Sequence, residues 1–159
     1  MKRILNNLIC AILFFALMLS LGGCMSAGWI EDTNGEEDLS LQTITDNDII
    51  EGMGSTRFMS SSSNSTVNGV SKSVHKAKTM SGVLELYEDR LKNETLDITV
   101  SCEITKGNAR LVLIVDGEIV HDFDLNGADQ SLVLENVSGN VSLKIAGESA
   151  GYAVSYTVK

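Results

Sequence analysis

Leu96, Ile98, Val100, Cys102 and Ile104 alternate with Asp97, Thr99, Ser101, Glu103 and Thr105. Apolar side chains at a period of two give an extended strand one dry and one wet face. This stretch therefore predicts a strand lying over a core. Leu111 to Val115 is apolar at every position, the pattern of an interior strand covered on both sides. Asp116-Gly117 supplies the two residues that tolerate positive φ in a tight hairpin turn. Ile119, Phe123 and Leu125 then share one face, and Leu132 with Leu134, Val141 with Leu143 and Ile145, and Tyr152 with Val154, Tyr156 and Val158 repeat the alternation. Turns are expected at Lys106-Gly107-Asn108, Asn126-Gly127, Ser138-Gly139-Asn140 and Gly147 to Gly151. Val83 to Glu88 adds a strand, and Ser71 to Ala77 another. Connections this short leave no room for crossover helices. The expected fold is all-β: a small, mainly antiparallel β-sandwich of about seven or eight strands over residues 70–159. About 90 residues bury one modest core.

The chain before residue 70 lacks that alternation. Between residues 25 and 51, Glu31, Asp32, Glu36, Glu37, Asp38, Asp46, Asp48 and Glu51 are acidic, and no Lys or Arg offsets them. Such a stretch repels itself and stays solvated. Thr45-Asp46-Asn47-Asp48 before Ile49-Ile50 is a helix start, which Gly52 and Gly54 end within a turn or two. Ser60-Ser61-Ser62-Ser63-Asn64-Ser65-Thr66 has the composition of a flexible linker. Residues 24–69 are thus expected to form an acidic, serine-rich, disordered tether. From Gly52 to Leu84 the chain holds no acid, whereas Arg57, Lys72, Lys76 and Lys78 are basic, with His75 among them. That patch is expected to pair with acidic parts of the chain, or else to meet an anionic wall polymer.

Residues 1–23 carry a Lys2-Arg3 start, an apolar run and two small residues. The unbroken apolar part, Leu8 to Leu21, falls short of the roughly 20 residues that a membrane-spanning helix needs. This is the layout of a signal peptide. Its end, Leu21-Gly22-Gly23-Cys24, resembles the lipobox of bacterial lipoproteins: an aliphatic residue, two small ones and the acylated cysteine. The resemblance implies cleavage between Gly23 and Cys24 and a diacylglycerol thioether on Cys24. Two acyl chains give stable anchoring where one is marginal. The body's texture, closing on Gly151-Tyr152-Ala153-Val154-Ser155-Tyr156, is similar to small β-sandwich domains of uncharacterised Gram-positive lipoproteins, with no functional residue carried over.

Loss of Lys2 and Arg3 with the signal leaves 10 basic against 21 acidic side chains, a net charge near −11. Nucleic acid is a poor partner for such a chain, because phosphate binding needs a basic footprint. With Cys10 removed and Cys24 acylated, only Cys102 remains, so no intrachain disulfide forms. Cys102 falls on the dry strand face and reads as a small hydrophobe.

Candidate chemistry is sparse. The two histidines, His75 and His121, sit in no zinc spacing. No Walker loop or dinucleotide fingerprint occurs. Asp122, Asp124, Asn126 and Asp129, with Gly127 at the sixth position, match the opening of a calcium loop, but the twelfth position is Val133 where a bidentate Glu belongs. The same residues also fit a wet strand face and its turn, and no metal or other cofactor is assigned. Glu85 with Glu88-Asp89, or Asp97 with Glu103, read as wet-face charges and not as the paired carboxylates of a glycosidase. The expectation is a non-enzymatic interaction or scaffold module, held at the extracytoplasmic face of the cell membrane by the lipid on Cys24. Its partner would be an envelope protein or a wall polymer. The alternative is a module binding carbohydrate or calcium through the loops at Asp116–Glu118 and Asp122–Asp129. Exposure of the face shared by Tyr152 and Tyr156, beside Tyr87, would favour sugar.

Overall fold

The computed structural model describes residues 41–67 and 70–159. A short helix, α1 (Asp46–Glu51), precedes four extended elements: β1 (Ser55–Val67), β2 (Val70–Val115), β3 (Glu118–Phe123) and β4 (Gln130–Val158). The pairing is antiparallel throughout. β2 and β4 are long because they bend from one layer of a sandwich to the other without losing their ladder. In one layer the neighbours run β1, 70–80, 150–158, 98–106 and 130–134; in the other they run 82–92, 137–147, 108–115 and β3. The expected antiparallel β-sandwich is the fold. The signal segment, Cys24 and the acidic stretch to residue 40 lie outside the described residues.

Backbone of positive φ marks the crossings between layers. Gly82 (φ 101°), Asn93 (57°), Gly107 (68°), Asn136 (57°) and Ser149 (56°) each stand where the chain leaves one layer for the other. A left-handed residue turns a strand sharply while its neighbours keep pairing. Glycine and asparagine occupy four of the five, as the low cost of that conformation for them requires. Asp116 and Gly117 (φ 47° and 81°) make the hairpin into β3, as their sequence predicts. The turn expected at Ser138-Gly139-Asn140 lies instead at Asn136. Residues 138–140 stay in the ladder, where Asn140 N donates to the Asp116 carboxylate at 2.9 Å.

The core lies between the layers. Leu96, Ile98, Val100 and Cys102 meet Leu111, Leu113, Leu143 and Ile145 there, all fully buried. The even-numbered positions Val112 and Ile114 explain why 111–115 is apolar on both faces. They point out of the sandwich and, with Val83 and Ala146, are covered by Ile49 of α1. Thr45 caps α1 through a box with Asp48, and Gly52 ends it in the left-handed conformation, as the sequence predicts.

Two parts of the expected tether therefore belong to the body. Residues 41–51 form a strap over the outer sheet face. Ile49 anchors it, Lys144 Nζ donates to the Ile50 carbonyl at 2.8 Å, and Arg110 pairs with Asp46. The serine run is not a flexible linker but strand β1, paired residue by residue with 70–82. Serine side chains bury little, yet a ladder is made by backbone groups, which composition does not disclose.

The Glu148 carboxylate closes the strap, accepting from the backbone N–H groups of Gln42, Thr43 and Ile44 and from the Thr43 hydroxyl. The Thr43 hydroxyl and these amides hold its pKa down at about 2, against an ordinary 4.5. A depressed acid contributes its stabilisation in full above its unfolded value and loses it as the pH falls through the folded one. The clasp is thus complete above pH 4.5 and opens near pH 2. NMR titration of the 42–44 amides will show a midpoint near 2, and Glu148→Gln will abolish the transition. A midpoint near 4.5 would mean that the clasp does not form.

Candidate functional site

The layer containing β1 is wider than the one beside it, and β1 overhangs the 82–92 edge. Beneath the overhang lies a groove of about 490 Å³. Its floor carries Asn64, Ser71 and Ser73 from β1 and the strand paired to it; its wall carries Tyr87, Asp89 and Glu94. Tyr87 is half-buried, its ring edge-on to Tyr156 at 6.3 Å between centroids. Burial, and then the Asp89 carboxylate, push the Tyr87 hydroxyl up to about 12, so it stays a hydrogen-bond donor. It donates to Asp89 Oδ2 at 3.2 Å, while Asp89 Oδ1 accepts from the Arg90 amide at 2.7 Å. Both oxygens of Asp89 are thereby held in place.

Tyr156 seals the inner end. Its hydroxyl donates to the Leu86 carbonyl, and His75 stacks on its ring at 5.9 Å with an interplanar angle of 9°. His75 Nε2 is buried without a partner among the described residues. Burial, and then the Arg57 charge, lower its pKa, so it stays neutral at pH 7. A neutral stacked histidine with an unpartnered nitrogen belongs to the packing, not to proton transfer.

The face shared by Tyr152 and Tyr156 is buried, with exposures of 3% and 7%. Tyr87 is thus the ring that the groove presents. Two of the four candidate calcium ligands, Asp122 and Asn126, have side-chain partners within the protein. Arg110 holds Asp122 by two bonds of 2.6 and 3.0 Å, Gln130 clips the Asp124 backbone, and Asn126 Oδ1 accepts from Ala128 N. Among the described residues, no three His, Cys, Asp or Glu side chains converge as metal ligands do. His121 packs edge-on against Phe123 at 4.7 Å. Cys102 is buried, and burial drives its thiol up to about 12, so it is protonated at neutral pH and a poor nucleophile. Asp97 faces Lys159 at 3.7 Å, and Glu85 lies 3.9 Å from Lys144. The groove's Asn64, Ser71, Ser73 and Thr95 escape a reading of the sequence. Asn64 is hidden within the serine run, and Ser71, Ser73 and Thr95 show only as small polar positions beside apolar ones.

The chain matches no protein-family model and no curated protein. Among solved structures it is similar to a carbohydrate-binding module, CBM36, in complex with calcium and xylotriose. The two share 15% identity over 68% of this chain and 90% of that one, with a TM-score of 0.34. It is also similar to the CBM36-1 domain of a multidomain xylanase from the hindgut metagenome of Trinervitermes trinervoides, at 15% identity over 60% and 84% of the chains and a TM-score of 0.29. The EutQ protein of Clostridium difficile follows at 10% identity over 73% of each chain, with a TM-score of 0.29. Likenesses at these TM-scores carry no ligand and no residue role to this chain.

Proposed function

We propose that this chain is a lipid-anchored, non-enzymatic binding module of the cell envelope, displayed outside the membrane from Cys24, and that its groove takes a stretch of extended glycan. The observation that carries this reading is the groove beneath β1, where a half-buried tyrosine stands among amide, hydroxyl and carboxylate groups. A sugar ring offers an apolar face and a rim of hydroxyls, and Tyr87 with Asn64, Ser73 and Asp89 offers the complement. Asp89 is held by Tyr87 and Arg90, which suits an acceptor of fixed direction better than a carboxylate free to shuttle protons. The acidic stretch 31–38 and the lipobox resemblance support display at a distance from the bilayer.

Affinity electrophoresis of the full chain through gels containing uncharged wall polysaccharides tests the groove. Tyr87→Ala should weaken retardation about tenfold or more, the scale of losing an aromatic anchor, and Tyr87→Phe should retain most of it. Equal retardation of wild type and Tyr87→Ala would remove the groove from the account. Cys24→Ala should move the protein from the membrane fraction to the soluble extracytoplasmic fraction; retention in the membrane would refute the anchor.

A further inference from the structure

The outer face of the wider layer has no covering element among the described residues, and its charge opposes that of the protein. Lys72, Lys76 and Lys78 are exposed along one strand. Ala77 and Ser73, at the odd positions, are buried, so the lysines point away from the core. At about 3.3 Å per residue they form a stripe of about 20 Å. None of the three is in an ion pair among the described residues. From Gly52 to Leu84 the chain offers no acid to pair with them. The acids on this face, Asp97 and Glu103, stand two strands away, and Asp97 already faces Lys159.

Hydroxyl donors flank the stripe. Register puts Ser65 and Thr157 on either side of Lys72, and Ser61 beside Lys76. One ring, Phe58, stands exposed on β1 opposite Thr79 at the Lys78 end, and no second exposed ring lies along the stripe. A nucleic acid strand would ask for rings on which to stack its bases. A linear polymer with a phosphate at each repeat and small polar units between asks only for spaced cations and hydroxyls. A lysine ammonium binds phosphate as a point charge, without the fixed fork of arginine.

We propose that the Lys72–Lys76–Lys78 stripe is a docking surface for a linear polyol-phosphate polymer, separate from the groove. Positive charge held on one face of a chain with net charge −9 is the footprint of a polyanion site. The polymer lies along the strand, its phosphates on the lysines and its polyol units over the serine and threonine hydroxyls.

The test is binding of poly(glycerol phosphate) to the full chain across a salt series. Three phosphate contacts predict a log–log salt slope of about −2, on the coefficient for a single flexible strand. Replacing all three lysines together (Lys72→Gln, Lys76→Gln, Lys78→Gln) should weaken binding at least tenfold and bring the slope towards zero. All three side chains are exposed, so the fold is retained, and an unchanged circular dichroism melt verifies it. Tyr87→Ala should leave this binding unaltered. The assignment is overturned if the polymer fails to bind at low salt, if the triple variant binds as well as wild type, or if Tyr87→Ala removes binding. Equal competition by poly-glutamate would also overturn it, by giving the stripe to an acidic peptide.

Discussion

Gly82→Ala will cost the domain about 3 kcal/mol or more, a large share of the 5–15 kcal/mol that holds a typical domain together. Gly82 stands at φ 101°, where β2 leaves the wider layer for the other. A Cβ there would lie 2.1 Å from the Gly54 carbonyl oxygen and 3.0 Å from Ser55 Cα, all backbone atoms. That carbonyl accepts from Val83 N at 2.9 Å, so it cannot retreat without breaking the bond that seats the start of β1. Left-handed backbone alone costs a non-glycine residue about 1–2 kcal/mol, and the clash adds the displacement of β1. Gly117→Ala is the control. Its φ is 81°, but a Cβ would meet nothing within 4 Å, so only the backbone cost of about 1–2 kcal/mol applies. Urea denaturation should show Gly82→Ala losing about 1 kcal/mol or more beyond the loss in Gly117→Ala. Equal losses would show that β1 yields freely at Gly54, and the overhang above the groove would then be a soft element.

The alternating stretches foretold most of the body, because period two reports burial directly and burial is what the sandwich requires. Leu96 to Cys102 lie with their apolar side chains in the core as the pattern demands. Leu111–Val115 was legible as doubly covered; what covers its second face, the Ile49 side of α1, was not, because the helix is too short for a periodic signal. β1 was invisible for a different reason. Serines exposed on both faces leave no apolar trace, and the strand exists only through its backbone ladder to 70–82. The groove inherits that blindness, since its floor is Asn64 of β1 with Ser71 and Ser73 of the strand paired to it. The acids at 122–129 illustrate the opposite error open to a linear reading. Their spacing suits calcium, but Arg110, twelve residues from Asp122 in sequence and across one strand pair in space, claims the first ligand. A motif lists which groups are near in sequence, and an ion pair depends on what the register brings beside them.

Ile49→Ala will release the strap while leaving the sandwich folded. Ile49 is fully buried against Val83, Val112, Ile114 and Ala146. Truncating such a side chain costs about 2–5 kcal/mol. A six-residue helix has no stability of its own in water, so that loss falls on the docking of 41–51 as a unit. The main core shares none of its buried side chains with this cluster. Hydrogen exchange should therefore quicken at the Ile49 and Gly52 amides, whose bonds to Thr45 and Asp48 hold α1 together, while amides of 141–147 keep their protection. Uniform loss of protection across both would show the strap to be integral to the fold. No change at either would mean that Glu148, Lys144 and Arg110 hold it without Ile49. The release has a consequence for the proposed display of the module. With the strap docked, the chain between Cys24 and Leu41 spans at most about 60 Å at full extension; undocked, it gains the length of residues 41–54. Ile49→Ala should then carry the groove farther from the bilayer, readable as weaker energy transfer between a membrane dye and a label on the body, and unchanged transfer would show that the strap does not set the reach.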